Sequence, residues 1–367
     1  MQPRFIFRFL LVLILILAAA PRAQAWGNKE HIQITRLAVM RLLDEPTTPD
    51  AMKDWLRQVT PGLRDFKAER DYFLNARVGL IVRDADGLPY WATMPDMMVN
   101  ADARTKLEPY GVAERLMHFI DLEFFAKDES KRRYAHDLSG KPAFEDVPRD
   151  VSDPRYQQAG FLPFRVEECY KQLVRAIGEG KLTDTPGQFP RDDHAAKWAG
   201  YLAHYLEDNT QPHHSSIEYK SASYFARKQQ APNVHAEMEY RMNDDDAADF
   251  MTLREEFWTI FEKDLKDFKD PVTTKDPWAA SLQVSLQSYD ALPMVGLAAM
   301  AASAQAGTPD KPTGAAKPLD TEVFFRFKGR YLGREMTVME MKSYQQAWAV
   351  VRVATMWRQA WKEATGE

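Results

Sequence analysis

HYLEDNTQPHH, residues 204 to 214, is the densest run of metal-ligand side chains in the sequence. His204 and Asp208 stand four apart, so on a helix they project from one face, about 6 Å apart at Cβ. Pro212 ends that helix and turns the chain, letting His214 approach from another direction. Downstream, NVHAEMEYRMN (233–243) repeats the four-residue step with His235 and Glu239. An imidazole and a carboxylate on one helical face supply two of the three protein ligands of a catalytic zinc, and His214 offers a third. One such pair is ordinarily a solvated hydrogen bond. Two pairs flanking a Gln-Pro-x-His turn, in a chain with only eight histidines, read as metal sites.

Outward from this stretch the apolar spacing is helical wherever it is legible, and no period-two alternation lasts more than a few residues. The expectation is an all-α, single multi-helix domain with long loops and at most a short β-hairpin. A first helix begins near Lys29, carries Ile34, Leu37, Val39 and Met40 inward, and is stopped by Pro46. Others run over 162 to 180, from about Asp192 to Thr210, from about Asn233 to Asp244, and from Glu335 to Ala364. Residues 126 to 160, 182 to 191 and 303 to 318 read as irregular, the last as a mobile loop. Glu322 to Arg330 (EVFFRFKGR) is the one place where a short strand is expected. Trp198, Trp348, Trp357 and Trp361 fall on helices and read as core, as does Cys169. His136 and His194 read as solvated, and His213, beside His214, as an ordinary side chain, with support of the metal ligands as the alternative.

A single cysteine excludes an intramolecular disulfide, so stability rests on packing and bound metal. Arg4 and Arg8, the apolar run Phe9 to Ala20, and Ala23-Gln24-Ala25 form a secretion signal over residues 1–25. The mature chain, 26–367, is then expected in the periplasm or outside the cell. Losing Arg4, Arg8 and Arg22 leaves 45 basic against 53 acidic residues, about −8. A polyanion is repelled at distance by that balance, so a nucleic-acid substrate must be gripped locally at metal ions.

The sequence also holds WGNKEH (26–31), MPDMM (94–98) and MHFID (117–121) ahead of the two histidine segments. Together these resemble the zinc-dependent phospholipases C and the single-strand-specific zinc nucleases and 3′-nucleotidases. The resemblance spans Trp26 to Glu239. It implies three zinc ions: one held by Asp96, His118, His204 and Asp208, a second by Trp26, His31 and Asp208, with a hydroxide between them, and a third by His214, His235 and Glu239. The α-amino group of Trp26, freed by signal cleavage, has an ordinary pKa near 8 and yields its proton to zinc at modest cost. Asp96 and Asp208 take the catalytic roles, and no side-chain nucleophile is needed. Asp84, Asp86 and Asp102 are alternatives to Asp96. Val99 stands where the nucleases carry an Arg, a role left to Arg104 or Arg115.

The five-residue step from Trp26 to His31 and the 21-residue step from His214 to His235 look like the nuclease branch. By that resemblance Phe119 stacks on a base and Asp121 bonds its edge. Glu239, where the nucleases favour Asp, keeps the phospholipase branch open. The expected substrate is single-stranded nucleic acid or nucleotides, with phospholipid as the alternative, and no obligate protein partner is evident. A noncatalytic zinc-stabilised binding protein is the reading from another class, weakened by a third site with only three protein ligands.

Overall fold

The computed structural model describes residues 27–101, 106–107, 112–128, 137–184, 193–243 and 250–367. Residues 1–25, where a secretion signal is expected, and Trp26, Asp102, Arg104 and His136 lie outside them. The fold is mostly helical. The helices are α1 (Asn28–Asp44), α2 (Asp50–Val59), α3 (Phe66–Asn75), α4 (Val78–Asp84), α5 (Leu88–Ala101), α6 (Tyr156–Ala159) and α7 (Leu162–Gly178). After them come α8 (Ala195–Thr210), α9 (Val234–Glu239), α10 (Met251–Asp267), α11 (Pro277–Tyr289), α12 (Leu292–Ala302), α13 (Thr321–Arg326) and α14 (Val338–Thr365). Among the described residues no helix is long and apolar enough to cross a membrane.

Helix α8 is the axis of the molecule. Nearly every residue from Ala195 to Thr210 is buried, because α5, α7 and α14 close on it from three sides. Gly200 permits the closest of these approaches: a Cβ there would lie 2.4 Å from Trp91 Cβ on α5. Helix α14 opens on a capping box, in which Thr337 Oγ1 accepts from the Glu340 amide at 3.1 Å and Glu340 accepts from the Thr337 amide at 2.6 Å. Trp198, Trp348, Trp357, Trp361 and Cys169 are all buried, the core positions their spacing predicts.

The strand content differs from expectation. Three short antiparallel hairpins, not one at most, occur among the described residues: β1 (Lys106–Leu107) with β2 (Val112–Ala113), β3 (Ala306–Thr308) with β4 (Lys311–Thr313), and β5 (Lys328–Tyr331) with β6 (Arg334–Thr337). The expected loop 303–318 thus contains a hairpin. The expected strand Glu322 to Arg330 divides: Asp320 caps α13 by accepting from the Val323 amide at 3.0 Å, Phe324 and Phe325 turn into the core, and the strand begins only at Lys328. Helix α9 ends at Glu239, short of the expected Asp244, and a 3₁₀ turn over Arg241–Asn243 follows. His194 is not solvated. It is buried at the start of α8, where its Nδ1 accepts from the Lys197 amide at 3.2 Å.

Candidate metal centre

Four segments deliver one cluster of side chains. His204, Glu207 and Asp208 share a face of α8, at steps of three and four residues. Helix α1 brings His31 and Thr35, α5 brings Asp96, and the 3₁₀ turn Glu114–Met117 ends at His118. Pro95, inside α5, supplies no N–H to that helix. In the same helix the Ala92 carbonyl accepts from His204 Nδ1 at 2.7 Å. This bond and the Gly200 contact hold Asp96 against His204.

Around Asp208 the donors are close. His118 Nδ1 lies 2.9 Å and His204 Nε2 3.3 Å from Asp208 Oδ2, while His31 Nε2 lies 3.7 Å from Oδ1. Asp96 sits 3.8 Å from both His118 Nδ1 and His204 Nε2 and 3.9 Å from His31 Nε2. Two overlapping triads result, His31–His204–Asp208 and Asp96–His118–His204, each with donor atoms within 4.8 Å of one another. Zinc ligands lie about 2 Å from their ion, and donors sharing one ion must be that near each other.

A third triad, His214–His235–Glu239, meets the same limit. His214 comes from the 3₁₀ turn Pro212–Ser215 and places Nε2 3.3 Å from Glu239 Oε1. His235 Nε2 contacts the same oxygen from one turn earlier on α9. Gln211 Nε2 donates to it at 2.8 Å. The first and third groups are joined through the chain, because the His118 carbonyl accepts from His214 Nδ1 at 2.6 Å.

Outer partners fix which ring nitrogen faces inward. His31 Nδ1 meets Glu207 at 2.5 Å and His235 Nδ1 meets the Tyr219 carbonyl at 3.1 Å. With the bonds of His204 and His214, four rings have Nδ1 engaged and Nε2 turned to the cluster, the usual arrangement of metal-bound histidine. His31 Nε2, Asp208 Oδ1 and Glu239 Oε2 are buried without a hydrogen-bond partner among the described residues.

The electrostatics favour a cation. Burial drives Glu207 and Glu239 well above the carboxylate range. Burial would raise Asp208 too, but the adjoining His204 and His214 hold it well below its ordinary value. Burial lowers His31 strongly and His118 to about 4, which keeps both rings neutral and able to bind metal. His204 is also desolvated, yet Asp208 lifts it to about 9. A buried carboxylate without a counter-charge costs several kcal/mol. Metal ions at the three groups would remove that cost while using the nitrogens that face inward, so the residues fit divalent cations.

The remaining candidates lie around this centre. Phe119 is half-buried, with its ring edge on Gly160, whose φ of +89° and missing Cβ admit the contact. Asp121 donates its amide to the Ala159 carbonyl at 2.6 Å, and burial together with Glu123 pushes its carboxyl well above the usual range. Arg115 is exposed. His213 is buried behind the third group, with Nε2 3.1 Å from Ser221 Oγ. Sequence reasoning passed over Glu207, Gln211 and Glu114, although Glu207 shares the helical face of His204. Comparison of the chain with protein-family models and with curated proteins finds no match.

Proposed function

We propose that this chain is an exported phosphoesterase that carries three zinc ions, of the type shared by zinc-dependent phospholipases C and single-strand-specific nucleases. One observation carries the reading: three donor groups form, each with its ligand atoms within 4.8 Å of one another, and outer partners turn ring nitrogens inward. In this reading Asp96, His118, His204 and Asp208 hold one ion. His31, Asp208 and the freed Trp26 amine hold a second, and His214, His235 and Glu239 a third. Zinc bound there polarises the phosphoryl group and brings the pKa of bound water towards 7.

The protein's own part is placement. Asp208 reaches His31, His118 and His204, so it fixes the spacing of the first two ions. Asp96 closes the group from α5. Phe119 offers ring surface to a base, a contact worth roughly 1 to 3 kcal/mol, and Asp121 meets the base edge. The preferred substrate is therefore single-stranded nucleic acid or a 3′-nucleotide. The phospholipase alternative gains from Ile217 and Tyr219, 47% and 37% exposed, which give the rim beside His235 an apolar character.

Purified residues 26–367, stripped with chelator and restored with zinc, should be assayed on single-stranded DNA, RNA, 3′-nucleotides and phosphatidylcholine. Zinc-dependent turnover of the nucleotides supports the nuclease, and turnover of phosphatidylcholine alone supports the alternative. Zinc-loaded protein inert towards all four overturns the enzyme and favours a metal-stabilised binding protein.

A further inference from the structure

His118 departs from the pattern of the other candidate ligands. Its Nδ1 faces the cluster, 3.1 Å from His204 Nε2 as well as 2.9 Å from Asp208. Its Nε2 therefore points away. That nitrogen is buried and has no hydrogen bond to a described residue, and the carboxyl facing it is Glu114, with Oε1 4.0 Å distant.

Glu114 is an unusual residue to bury, at 4% exposure. The Tyr205 hydroxyl donates to Oε1, and Arg165 Nη2 lies 3.7 Å from Oε2. Arg165 is itself 3% exposed, bonded to Glu168 at 2.6 Å, with its guanidinium 5.2 Å from the Tyr205 ring centre. The Tyr205 ring stands edge-on to both His118 and His204, at 5.3 and 5.2 Å. Apolar side chains of similar volume would fill this space at no electrostatic cost. A charged group kept here serves whatever it faces, and it faces the back of one imidazole.

We propose that Glu114, braced by Arg165 and Tyr205, is the positioning residue that accepts from His118 Nε2 and thereby commits Nδ1 to the metal. The inference rests on the metal-centre reading above. It gives His118 a carboxylate partner, as Glu207 gives His31 one. Since the His118 carbonyl also holds His214, Glu114 acts where the first and third groups meet.

The test is zinc titration against a chelator in a Glu239→Gln background, which removes the third group so that bound ions report the first cluster. Nitrogen NMR of His118 is read in parallel. Glu114→Leu, which leaves no acceptor behind the ring, should weaken zinc about 10- to 100-fold and leave His118 without a fixed Nε2–H tautomer. Glu114→Asp keeps the charge opposite Arg165, so folding is preserved, but it withdraws the oxygen and should give a smaller loss in the same direction. Folded variants that bind zinc like the background and keep the Nε2–H signal overturn the inference. A background protein that takes up no zinc overturns the metal-centre reading and the inference with it.

Discussion

His31 Nδ1 stands 2.5 Å from Glu207 Oε2, while Thr35 Oγ1 donates to the other carboxylate oxygen at 3.0 Å. Glu207 is thus held by two residues of α1 and holds the ring of one of them. All three groups are wholly buried, so the ring cannot turn without breaking a desolvated bond. Glu207→Gln should weaken the ion at His31 by about 10- to 100-fold. Competition between the protein and a zinc chelator measures this; unchanged affinity would show that packing alone orients His31.

The third triad gives a stoichiometric test. Glu239 Oε1 is shared by His214, His235 and Gln211, and its removal leaves two imidazoles, too few to hold zinc tightly. Glu239→Ala should lower zinc content by one ion per chain, with the first cluster still loaded. Metal analysis after gel filtration reads the count. Retention of the full complement would place the third ion elsewhere.

The two His/carboxylate pairs were legible because the helical period alone puts residues i and i+4 on one face, and Pro212 announces the turn to His214. Asp96 was legible only beside its rivals, since its place depends on how α5 crosses α8 at Gly200. Glu207 was passed over because its partner lies on α1, and no local pattern predicts that approach. The hairpins escaped for a different reason: strands of two to four residues are too short to establish a period. His194 has an equally local cause, a cap bond to the Lys197 amide that favours burial of a ring expected in solvent.

Glu123 makes stability depend on pH. It is 1% exposed and accepts from the Ile217 amide at 3.1 Å, the Tyr289 hydroxyl at 2.9 Å and the Ser216 hydroxyl, with Asp121 nearby on its own loop. Burial nevertheless takes its carboxyl from 4.5 up to about 7. The folded state then binds a proton that the unfolded chain has released. The contribution, about 3 kcal/mol, is complete below pH 4.5 and is lost as pH rises through 7. Urea unfolding of zinc-loaded protein at pH 5.5 and pH 8 should show a smaller pH difference for Glu123→Gln than for the wild type. Equal differences would assign the pH dependence to other groups.

Gly200 links packing to chemistry. A methyl group there would meet Trp91 Cβ at 2.4 Å, the Trp91 carbonyl carbon at 2.8 Å and the Ala92 amide nitrogen at 2.9 Å. Two of these are backbone atoms, so no rotamer change relieves the clash and α5 must move away from α8. Overpacking of this kind costs about 1 to 3 kcal/mol, against a gain of about 1 kcal/mol from replacing glycine by alanine in a helix. The net effect of Gly200→Ala should be a modest loss of thermal stability. The larger effect falls on the site, because the Ala92 carbonyl that orients His204 and the Asp96 carboxylate one turn later both ride on α5. Zinc affinity of the first cluster should therefore drop more than stability does, while the ion at His214, His235 and Glu239 stays bound. Calorimetric zinc titration beside thermal unfolding separates the two effects, and a variant with wild-type affinity and stability would refute the contact.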